Sequence, residues 1–131
     1  MRYPSPSPTR TPAAARSRGG PAVVTSEFFA EVRSTTLSLT ETLGPEDMQV
    51  QSMPDVSPTK WHLGHTTWFF ETFVLEAEDG YEPFDPAFRL IFNSYYEGVG
   101  ARHPRARRGL LTRPPIADVI ANRAHFDEQV M

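Results

Sequence analysis

Cysteine is absent from the 131-residue sequence. That removes any disulfide framework, any thiolate nucleophile and any cysteine-based zinc or iron–sulfur centre, so a metal would have to be held by nitrogen and oxygen donors. Histidine is scarce: His62, His65, His103 and His125 are the four in the chain, few enough that each can be weighed as ligand, base or packing residue. No apolar run approaches the roughly 20 residues that a membrane span needs, and the N-terminus lacks the continuous apolar segment of a secretory signal. A soluble, cytoplasmic protein without a membrane partner is expected.

Acidic residues are missing from residues 1–21, which carry four arginines and five prolines. Such a Pro/Ser/Arg/Gly-rich stretch buries too little apolar surface to offset the cost of ordering its backbone. Residues 1–24 are therefore expected to form a disordered tail, and residues 25–131 one helical domain. An organellar transit peptide shares the Arg- and Ser-rich composition, but Pro4, Pro6, Pro8 and Pro12 oppose the amphipathic helix it requires. The net charge of −3 hides the asymmetry, because residues 22–131 hold nine basic and sixteen acidic side chains, a net of −7. An acidic domain argues against nucleic acid as the main partner.

What is present is helical spacing. From Ser26 to about Leu43 the apolar series Phe28, Phe29, Val32, Leu37, Leu39 and Leu43, with Glu27 and Glu31 early and Gly44-Pro45 at the end, predicts an amphipathic helix capped by Thr25 or Ser26. Residues 46–56 read as a packed loop, with Pro54 and Pro58 opposing regular structure. Ser57-Pro58 offers a cap followed by proline at the first helical position, and so predicts a sharp start to a second helix running to about Glu78. That helix is apolar on nearly every face, through Trp61, Leu63, Trp68, Phe69, Phe70, Phe73, Val74 and Leu75, which marks it as central. Between Gly80 and Pro115 the prolines and glycines leave room for one short helix, about Pro86 to Glu97, within a long loop. A last helix follows Pro114-Pro115, over residues 116–131. There is no internal repeat and no strand-like alternation; the class is all-α, an up-and-down helix bundle.

His62 and His65 lie three apart on the central helix. Two imidazoles of one helix usually share a metal at i, i+4 spacing, so a single ligand is the better reading here; a core imidazole bonded to a backbone carbonyl remains open for His65 on spacing alone. The cluster Arg102, His103, Arg105, Arg107 and Arg108 is either a solvated basic loop or a clamp for a carboxylate or phosphate. Asn93, Tyr95 and Tyr96, directly before it, combine polar tips with aromatic bodies, as a pocket wall requires.

The segments SMPDVSPTKWHLGHTTWFFETFVL and YEPFDPAFRLIFNSYYEGVGARHPRARRGLLTRPP resemble the N-terminal DinB-like domain of ergothioneine-biosynthesis sulfoxide synthases, the hercynine oxygenases. The likeness spans roughly Thr25 to Met131. It implies a non-haem iron(II) held by three histidines, one of which matches His65 in the frame W-H-L-G-H-T; related enzymes need not have histidine at His62, which reads as packing or as support for His65. It implies that Arg105 and Arg108, three apart after an H-P dipeptide, bind the carboxylates of the thiol substrate, γ-glutamylcysteine or cysteine. It implies C–S bond formation between hercynine and that thiol, using dioxygen.

The same resemblance calls for an H-x-x-x-H helix shortly after residues 123–130, and for a C-terminal domain similar to formylglycine-generating enzyme that faces hercynine. The 131 residues hold neither, and His125 has no histidine one turn away to replace the pair. The expectation is thus a bundle incomplete at its C-terminus, a domain or fragment with no catalytic residue of its own and inactive alone. A stand-alone DinB-like metal-dependent thiol transferase, or a non-catalytic helical interaction module, are the alternatives.

Overall fold

A computed structural model describes residues 25–93 and 96–131; the expected tail, residues 1–24, and Tyr95 lie outside them. Thr25 opens helix α1, Ser26–Ser38, and its hydroxyl accepts from the Phe28 N–H at 3.2 Å, satisfying one of the donors that a helix start leaves unpaired. Then come α2 (Pro45–Gln49), α3 (Thr59–Phe70), α4 (Phe88–Ile91) and α5 (Ile116–Val130). No strand occurs among the described residues, so the architecture is all-α, as expected. No helix there is long and apolar enough to cross a membrane.

Helix α3 is the axis. It packs against α5, α2 and α4, and Trp61, Leu63 and Trp68 from α3 meet Phe88, Phe92 and Val119 in one buried cluster. Lys60 at the start of α3 is buried and donates through Nζ to the carbonyls of Leu111 and Pro114, at 2.8 and 2.9 Å. This ties the segment before α5 to the axis without any carboxylate.

Four local expectations need correction. Residues 46–56 are not wholly loop, because Pro45 at a first helical position and the Asp47 carboxylate, accepting from Gly44 N–H at 2.9 Å, support the short α2. Helix α3 begins one residue later than expected, at Thr59, and the Ser57 hydroxyl caps nothing in it. It ends not in a plain helix to Glu78 but in one π turn, Glu71–Leu75, whose wide ring is closed by Glu76 N–H on the Glu71 carbonyl at 2.9 Å. The third helix shrinks to α4, four residues instead of about twelve.

Helix α1 stops at Ser38, short of the expected Leu43, and its apolar stripe also behaves differently. Phe28, Val32, Leu37 and Leu39 are exposed, and the buried residue of the helix is Arg33. Arg33 reaches beneath the bundle to the Thr67 hydroxyl at 3.1 Å, the Arg123 carbonyl at 3.3 Å and Asp127 at 2.7 Å. A polar anchor holds this helix to α3 and α5, with Phe29 tilted against Phe126 beside it.

Candidate functional site

Two helical periods face each other to make the site. In α3, 3.6 residues per turn bring Trp61 and His65, four apart, onto one face; their rings stack at 4.6 Å and 11°. The basic segment is not an irregular loop but a 3₁₀ helix, Arg105–Leu110, in which side chains three apart eclipse. Arg105 and Arg108 therefore point the same way. The two faces, with residues 55–57 between them, bound an open groove of about 400 Å³ lined by Trp61, His62, His65, Arg105 and Arg108. All three residues singled out as site candidates meet there.

His65 is held at both ring faces and at one nitrogen. Trp61 stacks on it, Trp68 lies 5.4 Å away at 21°, and Nδ1 sits 2.7 Å from the Phe92 carbonyl. A carbonyl only accepts, so Nδ1 carries the proton and Nε2 keeps its lone pair. Burial pushes the ring below its ordinary acidity range, the Phe92 bond opposes that shift, and the Arg108 charge adds to it. The imidazole is thus held neutral, the form that binds a metal or accepts a proton.

Arg108 is buried, with its guanidinium carbon 3.4 Å from the centre of a Trp61 ring. Its Nη1 donates to the Ser57 hydroxyl at 2.8 Å, and its Nε has no partner. Burial first, then the neighbouring Arg105 charge, pushes it down to about 10. Among the described residues no carboxylate makes an ion pair with it. A buried cation is costly unless paired, and Arg108 lines the groove together with Arg105 and Asp55. Arg105, half-buried on the same wall, reaches the Asp55 carbonyl at 3.5 Å.

The sequence from residue 29 to residue 130 matches the model of the DinB superfamily. The chain belongs to that superfamily. No curated protein matches it in sequence.

The DinB domain places its other candidates elsewhere. His62 lines the groove but is exposed at its rim. His103 faces the Arg107 carbonyl at 3.1 Å, and Arg102 pairs with Glu97 at 2.5 Å; both brace their own loop. His125 lies outside the groove, 3.4 Å from the Glu82 carbonyl and beside the rings of Tyr81 and Phe84. Asn93 is not a pocket wall: it is buried and gathers the carbonyls of Tyr96, Gly100 and Ala101 at 3.1–3.3 Å, organising the loop that follows α4. Tyr96 packs on Trp68, Phe69 and Phe73.

Iron(II) finds only part of a donor set here. His65 offers one oriented lone pair, and among the described residues no group of three or more His, Cys, Asp or Glu side chains is placed to hold a metal. These residues alone do not fit a three-histidine centre.

Ser57, Trp61 and the Phe92 carbonyl were not foreseen as parts of the site. Trp61 had a signal, its position one helical turn before His65. Ser57 read as a helix cap, and nothing in the sequence marks the Phe92 carbonyl.

Proposed function

We propose that this DinB domain is the thiol-substrate side of a non-haem iron(II), dioxygen-dependent hercynine oxygenase, supplying one metal ligand and the carboxylate clamp. The observation that carries the reading is the convergence on one groove of His65 with Arg105 and Arg108, which lie on a separate, distant segment of the chain and which the resemblance links with His65 to one reaction. In this reading Arg105 and Arg108 orient the carboxylates of γ-glutamylcysteine or cysteine, with planar guanidinium forks suited to them. Trp61 keeps Arg108 flat against one wall, and His65 presents Nε2 as a single ligand. The residues described here supply positioning and charge and no further chemical step.

An anaerobic Fe(II) titration of the protein against His65→Ala tests the ligand assignment. Weak binding that the substitution removes is the expected result. Tight stoichiometric binding that survives it would refute the assignment, and no binding to either protein would favour a helical interaction module. Substrate binding is followed separately, through the tryptophan emission of a Trp68→Phe background, in which Trp61 is the remaining tryptophan, on addition of γ-glutamylcysteine, with Arg105→Gln expected to weaken it by about tenfold, the worth of one charged hydrogen bond.

A further inference from the structure

Gly64, between Leu63 and His65, is buried on α3. A Cβ built on it would lie 2.3–2.5 Å from three atoms of the Phe92 ring, closer than any packed pair of carbons tolerates. The ring has little room to turn away: Phe92 is 1 % exposed and is packed edge-on against Phe88 at 5.2 Å. Glycine here is a matter of close approach and not of backbone conformation, since α3 is an ordinary helix at this point.

That approach places the end of α4 on α3. Two successive carbonyls there are taken by two ring N–H groups of α3: Trp61 Nε1 donates to Ile91 at 3.0 Å, and His65 Nδ1 to Phe92 at 2.7 Å. Moving the Phe92 ring back to ordinary contact with a new methyl takes about 1 Å, and a 2.7 Å bond lengthened by that much is no longer a hydrogen bond.

We infer that Gly64 is a positioning residue for His65: by letting Phe92 lie against α3 it brings the Phe92 carbonyl to Nδ1, and so holds the imidazole in the tautomer whose Nε2 lone pair is open to the groove. A partner on one ring nitrogen decides which nitrogen is left for a ligand. The use of that lone pair as an iron ligand rests on the reading proposed above; the tautomer itself does not.

The test is multiple-bond proton–nitrogen correlation NMR on the full ¹⁵N-labelled chain, at a pH where the imidazoles are neutral, with the His65 signals identified by their loss in His65→Gln. The wild type is expected to show protonated Nδ1 and bare Nε2. Gly64→Ala is expected to lose that pattern in favour of protonated Nε2, with helical circular dichroism retained. Gly64→Ala/Phe92→Val, which removes the obstructing ring but keeps the carbonyl, is expected to recover it. A wild type with protonated Nε2, or a folded Gly64→Ala that keeps protonated Nδ1, would overturn the inference. Should Gly64→Ala alone not fold, the double variant decides: protonated Nδ1 supports the inference and protonated Nε2 sinks it. Failure of the iron titration with the wild-type tautomer intact would count against the proposed function only.

Discussion

Glu71 shows how a single buried group sets a pH dependence away from the groove. It opens the π turn, is 5 % exposed, and accepts a hydrogen bond from the Tyr81 hydroxyl. Burial, the largest cause, pushes its carboxyl above the ordinary 4.5; the Tyr81 bond pulls it down and the Glu76 charge pushes it up again. A carboxyl raised on folding binds its proton more tightly in the folded chain. Its contribution to stability is complete below about pH 4.5 and is lost as pH rises through the folded value. Glutamine keeps an acceptor for Tyr81 and carries no charge to desolvate. Glu71→Gln should therefore gain stability over the wild type in urea unfolding at about pH 7, and much less at about pH 4. A loss confined to neutral pH would show that the Tyr81 bond needs the charge, and an equal effect at both values would show that ionisation of Glu71 does not set the difference.

At the scale of elements, α1 illustrates what patterning conveys and what it leaves out. Helix existence was legible: the Thr25 cap and the proline pair before α5 act locally, and local chemistry can be read along the chain, whereas Gly44-Pro45, read as the close of α1, opens α2 instead. The buried side of α1 was not, because Arg33 is inside through partners 34 and 90 residues away, Thr67 and the Arg123 carbonyl, and hydrophobic spacing carries no such information. The same division runs through the site. Arg105 and Arg108 were set apart from the rest of their cluster by the family resemblance, and only the 3₁₀ helix makes their i, i+3 spacing a shared face; composition gives no sign of a 3₁₀ helix. Arg33→Ala is expected to cost about 2–3 kcal/mol, below the roughly 3–5 kcal/mol of a fully buried pair because Asp127 keeps 22 % exposure. Its signature should be local: hydrogen exchange accelerated throughout α1, with α3 and α5 much less affected. Uniform acceleration across all three helices would mean that α1 is not a separable unit.

On the scale of the whole molecule, the groove stands against the charge around it. Residues 22–131 carry −7, a field that repels anions at long range, and Arg105 and Arg108 reverse it locally at one wall. Screening weakens the distant repulsion before the close contact, because exposed charges lose most of their interaction beyond about 10 Å at 0.1 M salt. Added salt should thus raise thermal stability in general. Sulfate should add more than chloride at equal ionic strength, for two separable reasons: exclusion from the surface, which acts on any protein, and occupation of the groove, which needs the arginines. Arg105→Gln separates them, since it removes a half-buried charge at the wall and leaves the buried Arg108 stacked on Trp61. The variant is expected to keep part of the sulfate advantage over chloride and lose the part that saturates with concentration. A sulfate advantage that rises linearly in the wild type and is unchanged in Arg105→Gln would mean that the groove does not gather anions, whatever the local geometry of its arginines.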